Sequence, residues 1–223
     1  MVASFGMAAA LTGSTELQRA RDRQDKVALE QMISKLQQDT KTKSSAEAEY
    51  RLATAYSYAA EVAIEMKDKA KAQQLAEAGI DAAKKAIAVN GNNAEYHRIL
   101  GQLCGQVIPA NPLFGGLKYG QCARDEVNKA IELDGKSAMA YVSRGVGNYY
   151  LPPQFGGGID LALKDLDKAL ALNANLSEAY LWKGIALRKA NRNAEARAAL
   201  EKALQLDPDR VWTKQQLEKT PAH

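Results

Sequence analysis

The chain contains the segment Ser177-Glu-Ala-Tyr-Leu-Trp-Lys-Gly184, followed at fixed offsets by Ala196, Leu200, Ala203 and Pro208. Alanine and leucine dominate this stretch, and both favour helices. Gly184 on a first helix and Ala196 on a second would let two antiparallel helices approach closely. Ala203 would let the next helix dock. The pattern therefore predicts a tightly packed pair of helices with a surface on which a further helix packs.

The same pattern occurs three more times upstream. One copy runs from Ala138 to Asn173 and another from Ala94 to Asp134, and each ends in Lys-Ala-Ile/Leu-x-Leu-Asp/Asn. A weaker fourth copy ends in Lys85-Ala-Ile-Ala-Val-Asn90. Repeats at a fixed period bury their apolar faces by stacking, and about three are needed for a stable array. The sequence therefore predicts a helical solenoid.

This pattern resembles the tetratricopeptide repeat of 34 residues. In the last copy, the family's signature positions hold Tyr180, Gly184, Leu187, Ala196, Leu200, Ala203 and Pro208. Lys183 and Arg144 depart from the leucine that is usual at their position. The resemblance implies an all-α fold, a right-handed α-solenoid of antiparallel helix pairs.

The repeats divide the chain into seven segments. We expect a flexible N-terminus or signal remnant over 1–15, an N-terminal helix over 16–43, a degenerate repeat over 44–91, repeats with inserted loops over 92–136 and 137–174, a regular repeat over 175–208, and a C-terminal capping helix over 209–223.

Two insertions interrupt the 34-residue period. They contain Pro112-Leu-Phe-Gly-Gly116 and Pro153-Gln-Phe-Gly-Gly157 at corresponding places. Proline ends a preceding helix, and paired glycines permit the positive φ that a tight return needs. We therefore expect a shaped loop at both places. Phe114 and Phe155 would pack onto the helix ends or form part of a docking surface, and the two roles can coexist.

The two Gly-Gly loops also resemble those of the T component associated with TRAP transporters. That family is a periplasmic helical-repeat protein thought to bind a partner subunit of a solute uptake system. The resemblance, and an apolar start (Met1–Leu11) typical of a signal remnant or a frayed terminus, favour an exported or periplasmic location. The cytoplasm is the alternative.

The tetratricopeptide resemblance implies that a partner binds in a groove lined by the first helix of each unit. Carried onto this sequence, the groove positions are Arg98, Gln102, Val142, Val146, Tyr149, Tyr150, Leu181, Ile185, Arg188 and Lys189. With Phe114 and Phe155 they are the candidate partner-binding residues. This half-apolar surface with basic edges would suit an extended or helical protein segment with an acidic end.

A second hypothesis is a small-ligand binding protein or solute-transport accessory protein. It requires a deep pocket, which Tyr149, Phe155 and Trp182 would line. A shallow open groove would instead favour the protein-binding scaffold.

The composition argues against other classes. The net charge of +4 is spread along helices in alternating signs, which is not typical of a nucleic-acid binder. The chain has two histidines and two cysteines but no CxxC pair, so the usual ligand spacing of a structural zinc site is missing. No apolar run approaches the roughly 20 residues of a membrane span. No catalytic constellation or cofactor motif is recognisable, so we expect no enzyme and no cofactor, and the oligomeric state stays open.

Cys104 and Cys122 leave two alternatives open. They form a disulfide in an oxidising compartment, or they are small buried apolar residues in an alanine-rich helix.

Overall fold

The computed structural model describes residues 15–110 and 112–222, without the side chains of Leu113 and Phe114. Within these residues the chain is all-α, and residues 15–22 form helix α1. The remaining helices are α2 (Lys26–Thr42), α3 (Ala46–Glu65), α4 (Lys69–Val89), α5 (Ala94–Val107), α6 (Pro112–Leu133), α7 (Ala138–Tyr150), α8 (Ile159–Leu172), α9 (Ser177–Lys189), α10 (Asn193–Leu206) and α11 (Val211–Glu218).

Consecutive helices pack as four pairs: α3 with α4, α5 with α6, α7 with α8, and α9 with α10. The second helix of each pair also packs against the first helix of the next pair. The first helices contact one another in succession, α3 with α5, α5 with α7, and α7 with α9. This is tetratricopeptide-like packing, and it confirms the all-α prediction. We call the surface formed by α3, α5, α7 and α9 the inner face.

Small residues allow the close approach within each pair. A Cβ atom added to Gly184 would lie 2.5 Å from Leu200 Cγ, and one added to Gly101 would lie 2.7 Å from Val127 Cγ2. Both distances are shorter than real carbon contacts, so larger residues would push the helices apart. Ala203 is buried against the same pair. The spacing read from the sequence therefore corresponds to real helix contacts.

The first pair is longer than the last. Helices α3 and α4 hold 20 and 21 residues, whereas α9 and α10 hold 13 and 14. Each helix of the first pair is therefore longer by about two turns. The added length of α3 carries Glu61 and Glu65 beyond the end of a regular repeat helix, where they become part of the site described below.

The prediction of a loop at Pro112–Gly116 is wrong. The segment forms the beginning of α6, and a short 3-10 turn (Ile108–Ala110) precedes it. A proline is compatible with the first turn of a helix because its missing N–H has no helical partner there. A Cβ added to Gly115 would lie 2.9 Å from Ile108 Cα. This glycine therefore serves a close helix contact and not a positive φ.

The segment Pro153–Gly157 does form a loop. Pro153–Phe155 make a 3-10 turn, and Gly156 and Gly158 adopt φ angles of 86° and 118°. A Cβ on Gly157 would lie 2.2 Å from the carbonyl oxygen of Leu151. The two copies of one motif thus adopt different structures. The first belongs to the longer insertion, which has enough residues to extend α6 instead of forming a turn.

A disulfide joins Cys104 of α5 to Cys122 of α6, with a Cα–Cα distance of 6.0 Å. Of the two alternatives that the sequence left open, the structure adopts the disulfide. It ties together the two helices of one pair, next to the lengthened start of α6.

Among the described helices, none combines the length and apolar character needed to cross a membrane. The described residues also contain no group of three or more histidine, cysteine, aspartate or glutamate side chains placed to hold a metal ion.

Candidate functional site

Three of the predicted groove residues pack between helices instead of lining an open groove. Val142 of α7 belongs to an apolar cluster with Leu166 and Ala179, and Leu181 and Ile185 of α9 pack with the residues of α10. All three side chains are buried, and Val146 is half-buried beside Val142. In this conformation they support the inner face from below. Sequence spacing alone could not separate them from exposed positions, because burial depends on the neighbouring repeat.

Arg98 and Gln102 lie on α5 and bind each other. Arg98 donates from Nε to Glu95 and from Nη1 to Gln102, both at 2.7 Å. The guanidinium group is buried, and the negative charge of Glu95 helps to raise the pKa of Arg98 despite burial. Arg98 also interacts with Tyr50 of α3, so its guanidinium group is engaged by groups of two helices within the protein.

Arg188 of α9 is engaged by the C-terminal helix. It donates to the carbonyl oxygen of Gln216 at 2.9 Å and to the Gln216 side chain at 2.6 Å. A further hydrogen bond joins it to Thr220. This predicted groove residue therefore fixes α11 onto the last repeat.

Three further predicted groove residues, Tyr149, Tyr150 and Lys189, cluster with Trp182, which the small-ligand hypothesis named. We call these four residues the aromatic patch; Tyr150 and Lys189 are exposed, and Tyr149 and Trp182 are half-buried. The ring centroids of Tyr149 and Tyr150 lie 4.9 Å apart, and that of Trp182 lies 5.9 and 6.1 Å from them. The rings meet edge to face, which is a favourable geometry for aromatic groups. Lys189 Nζ lies 4.2 Å from the Tyr149 ring centroid and donates to the Tyr149 carbonyl oxygen. Tyr150 is 58% exposed.

Phe155 is a second exposed aromatic residue and is close in the chain to Tyr150. It lies in the loop that directly follows α7 and is 66% exposed, so it does not pack down onto the helix ends. The corresponding Phe114 side chain lies outside the described residues. A docking role for Phe155 stays a prediction.

Two depressions lie in the described part of the chain, away from Tyr149, Phe155 and Trp182. One is a shallow surface depression of about 420 Å³ along α2, from Val27 to Gln38, and the other holds about 30 Å³ between α2, α3 and α4. Neither is lined by Tyr149, Phe155 or Trp182, the residues that the small-ligand hypothesis requires.

Sequence reasoning missed a buried charged cluster, which we call the closure cluster. Its members are Arg21 and Asp22 of α1, Glu61 and Glu65 of α3, Glu178 of α9, and Arg210 before α11. Arg210 is 2% exposed and bonds Glu61 at 2.6 Å and Glu65 at 2.5 Å. These partners are 149 and 145 residues away in the chain. The cluster therefore connects the first helix pair to the end of the last.

Helix α1 inserts into this cluster. The Arg21 guanidinium lies 4.8 Å from the ring centroid of Tyr58 on α3 and 3.6 Å from Glu178 on α9. It is 6% exposed. Leu17 and Ala20 on the same helix join the apolar core that includes α3 and α5. Helix α1 thus bridges the first and last repeats across the inner face.

Burial changes the protonation of the cluster. Removal from water raises the pKa of Glu61 to about 7, although Arg21 and Arg210 oppose this shift. Burial also raises the pKa of Glu65 and of Asp22. Four carboxylates face two guanidinium groups here, so the positive charges do not fully compensate the negative ones.

The closure cluster and the aromatic patch are joined by one hydrogen bond. Trp182 Nε1 donates to Glu178 Oε1 at 3.1 Å. Arg210 immediately follows the last repeat, and Glu61 and Glu65 are one helical turn apart, but no sequence pattern pairs residues so distant in the chain. Only the curvature of the stacked repeats brings them together.

Comparison with known proteins identifies the family. Residues 14–151 match the family described as regulator of microtubule dynamics protein 1-3, or RMD1-3, and this match spans more than half of the chain. The chain belongs to the RMD1-3 family. The match covers α1 to α7, so α1 lies within the part that defines the family. Residues 177–210 match the tetratricopeptide repeat. No curated protein matches the sequence.

Solved structures support the fold of this RMD1-3 family member. A tetratricopeptide repeat protein of Thermus thermophilus superimposes with a TM-score of 0.64 at 18% identity, over 86% of this chain and 90% of that one. The HusA haemophore of Porphyromonas gingivalis gives 0.58 at 17% identity, over 85% and 92%. At these identities the likeness concerns the fold alone. The findings support the tetratricopeptide resemblance and do not support the resemblance to the TRAP T component.

Proposed function

We propose that this RMD1-3 family member is a non-enzymatic scaffold that binds a protein or peptide partner through the aromatic patch and Phe155. The tetratricopeptide fold suggests protein binding, and both matched families are typically non-catalytic. The observation that carries the proposal is the exposure of Tyr150, whose ring lies against Trp182, together with the exposure of Phe155 in the loop that follows α7. Clustered aromatic side chains are the usual anchors of protein interfaces.

The chemistry of the patch defines the kind of partner. Its rings offer an apolar surface for one or two large side chains, and Lys189 places a positive charge at the edge. An extended or helical segment with an apolar anchor and an acidic group fits both features. The buried residues Val142, Leu181 and Ile185 pack in apolar clusters with Tyr149 and Trp182 and so support this surface. Arg98, Gln102 and Arg188 are engaged in hydrogen bonds within the protein.

The family name indicates which partner to test first. Because the matched family is described as regulators of microtubule dynamics, we propose microtubules, or proteins bound to them, as the source of the binding segment. The small-ligand alternative requires a pocket lined by Tyr149, Phe155 and Trp182, and the two depressions described above have other linings.

The test compares a double variant, Tyr150→Ala with Phe155→Ala, against Val89→Ala. Val89 is 67% exposed at the end of α4 and provides a matched loss of exposed apolar surface outside the patch. Binding is measured by co-sedimentation with purified microtubules and by capture of partners from the native host. We expect the double variant to lose at least tenfold in affinity and Val89→Ala to behave as the wild type.

Circular dichroism establishes that both variants are folded, as expected for exposed positions. A folded double variant that keeps every captured partner at unchanged affinity would refute the patch as the binding surface. Binding of other host proteins but not of microtubules would retain the scaffold and exclude the microtubule as its partner.

A further inference from the structure

Helix α1 is a short segment held in place by a few side chains. Its described part comprises residues 15–22, and residues 23–25 connect it to α2. Gln24 in this connection adopts a φ of 55°, and Asp25 caps the N-terminus of α2. The described two turns are too short to be stable by themselves in water. Its helical state therefore depends on the contacts of Leu17, Ala20, Arg21 and Asp22 with the inner face.

The site that binds the Arg21 side chain favours a positively charged group. Without α1, the cluster retains Glu61, Glu65 and Glu178, with Arg210 as their only positively charged partner in the cluster. Buried carboxylates require paired positive charge or protonation. The Tyr58 ring lies under the Arg21 guanidinium and adds a cation–π contact. Acidic groups on two repeats and an aromatic ring thus form a site for an arginine.

The apolar contacts of α1 determine the rest of its chemistry. Leu17 and Ala20 are buried, whereas Arg19 on the same helix is exposed. The occupant is therefore an amphipathic helix with Leu, Ala and Arg at successive positions of one face. Another helix with Leu, Ala and Arg at this spacing would present the same apolar and charged groups to the site.

We propose that the surface between α3 and α9 is a binding site for an amphipathic helix that carries an arginine on its buried face, and that α1 occupies it as an internal competitor that a partner helix displaces. The site differs from the aromatic patch and goes beyond the proposed function. The Glu178–Trp182 hydrogen bond places the two sites side by side. A tethered competitor has an effective concentration in the millimolar range, so it weakens partner binding to the same site.

The experiment uses a fluorescent synthetic peptide of residues 15–25 and the full chain. Its binding is measured by fluorescence anisotropy to the wild type, to Arg21→Ala and to Arg19→Ala. Arg21→Ala weakens the internal competitor and leaves the site intact, so we expect the peptide to bind at least tenfold tighter than to the wild type. Arg19→Ala, an equal change of charge at an exposed position, is expected to match the wild type.

A second variant tests the cation site itself. Adding Glu178→Gln to Arg21→Ala removes one carboxylate from the site and should reduce peptide affinity at least fivefold relative to Arg21→Ala. Peptide binding to the Tyr150→Ala, Phe155→Ala variant is expected to equal that of the wild type. This comparison tests the α1 site separately from the aromatic patch, so either proposal can be refuted without the other.

Hydrogen exchange of the wild type tests whether the peptide displaces α1, even if Arg21→Ala does not fold. Saturating peptide should displace α1 and speed the exchange of its amides at least tenfold, while the amides of α9 remain protected. Unchanged exchange of α1 at saturating peptide would overturn the proposal. Equal peptide affinity of folded Arg21→Ala and the wild type would also overturn it.

Discussion

At the scale of single residues, Arg210 shows how the ends of the solenoid are connected. It is almost completely buried, yet it carries a charge and bonds two glutamates of the first helix pair. The attraction of Glu61 and Glu65 raises the pKa of Arg210 in spite of burial, so the guanidinium remains protonated. A buried pair of this kind adds little net stability, but removing one partner leaves the other charges unpaired.

We therefore expect Arg210→Ala to lower the free energy of unfolding by about 3–5 kcal/mol. Arg23→Ala is the matched control, because Arg23 pairs with Asp209 at 3.0 Å in an exposed position. That pair should contribute about 0–1 kcal/mol. Urea denaturation of the three proteins measures both values, and equal losses in the two variants would contradict the role of burial.

Glu61 makes stability depend on pH. Its pKa rises from 4.5 to about 7 in the folded chain because of burial, so the folded state binds a proton more tightly than the unfolded state. The corresponding stabilisation is complete below about pH 4.5 and is lost as the pH rises through 7. We expect the free energy of unfolding to fall by roughly 1–3 kcal/mol between pH 5 and pH 8.

The variant Glu61→Gln tests this assignment, because glutamine does not titrate. Urea denaturation at several pH values should show a flatter profile for this variant than for the wild type. The raised pKa of Glu65 and of Asp22 leaves a residual slope of the same sign. A profile as steep as that of the wild type would assign the pH dependence to other groups.

At the scale of elements, the two copies of Pro-x-Phe-Gly-Gly respond to their surroundings. Gly116 is helical with open space around it, whereas the corresponding Gly157 lies against the Leu151 carbonyl oxygen. The same letters therefore begin a helix in one repeat and form a turn in the other. The shared motif predicted the same loop at both places. The two conformations differ because the two insertions differ in length.

Alanine substitutions at these equivalent glycines should have opposite effects. Gly116→Ala should raise the free energy of unfolding by about 0.5–1 kcal/mol, because alanine favours a helix. Gly157→Ala should lower it by about 1–3 kcal/mol, because the added Cβ collides with backbone. Thermal unfolding of both variants measures the difference, and a loss of stability in Gly116→Ala would argue against the helical start of α6.

The disulfide between α5 and α6 restricts the unfolded chain. It closes a loop with a sequence separation of 18, so reduction should cost about 2–4 kcal/mol of stability. The measurement is urea denaturation with and without a thiol reductant. The variant Cys104→Ala, Cys122→Ala serves as the control, and its stability should not change with reductant. If reductant lowers the stability of both proteins equally, the loss is not caused by breaking the disulfide.

At the scale of the whole molecule, the repeats curve until the first and last pairs share one charged cluster. Arg23 with Asp209 and Gln24 with Gln215 add contacts between the N-terminal and C-terminal segments. The inner face is thereby divided into a part covered by α1 and an exposed aromatic part. A partner that binds the inner face therefore finds part of it covered by α1.

The sequence by itself determined the repeat fold. Gly184, Ala196 and Ala203 specify close helix packing through local spacing, and such short-range patterns are readable without coordinates. It also indicated Tyr149, Tyr150, Phe155 and Lys189, which the structure leaves on the surface, although it placed buried residues such as Val142 and Leu181 in the same set.

Only the tertiary structure decided which of those positions are open and which groups meet across the inner face. Arg210 and Glu65 are 145 residues apart, and Arg21 reaches Glu178 from the opposite end of the chain. Their proximity depends on small rotations between successive helix pairs, which add up along the stack. No local pattern records that sum, so the closure cluster and the covering of the inner face by α1 emerge only from the folded chain.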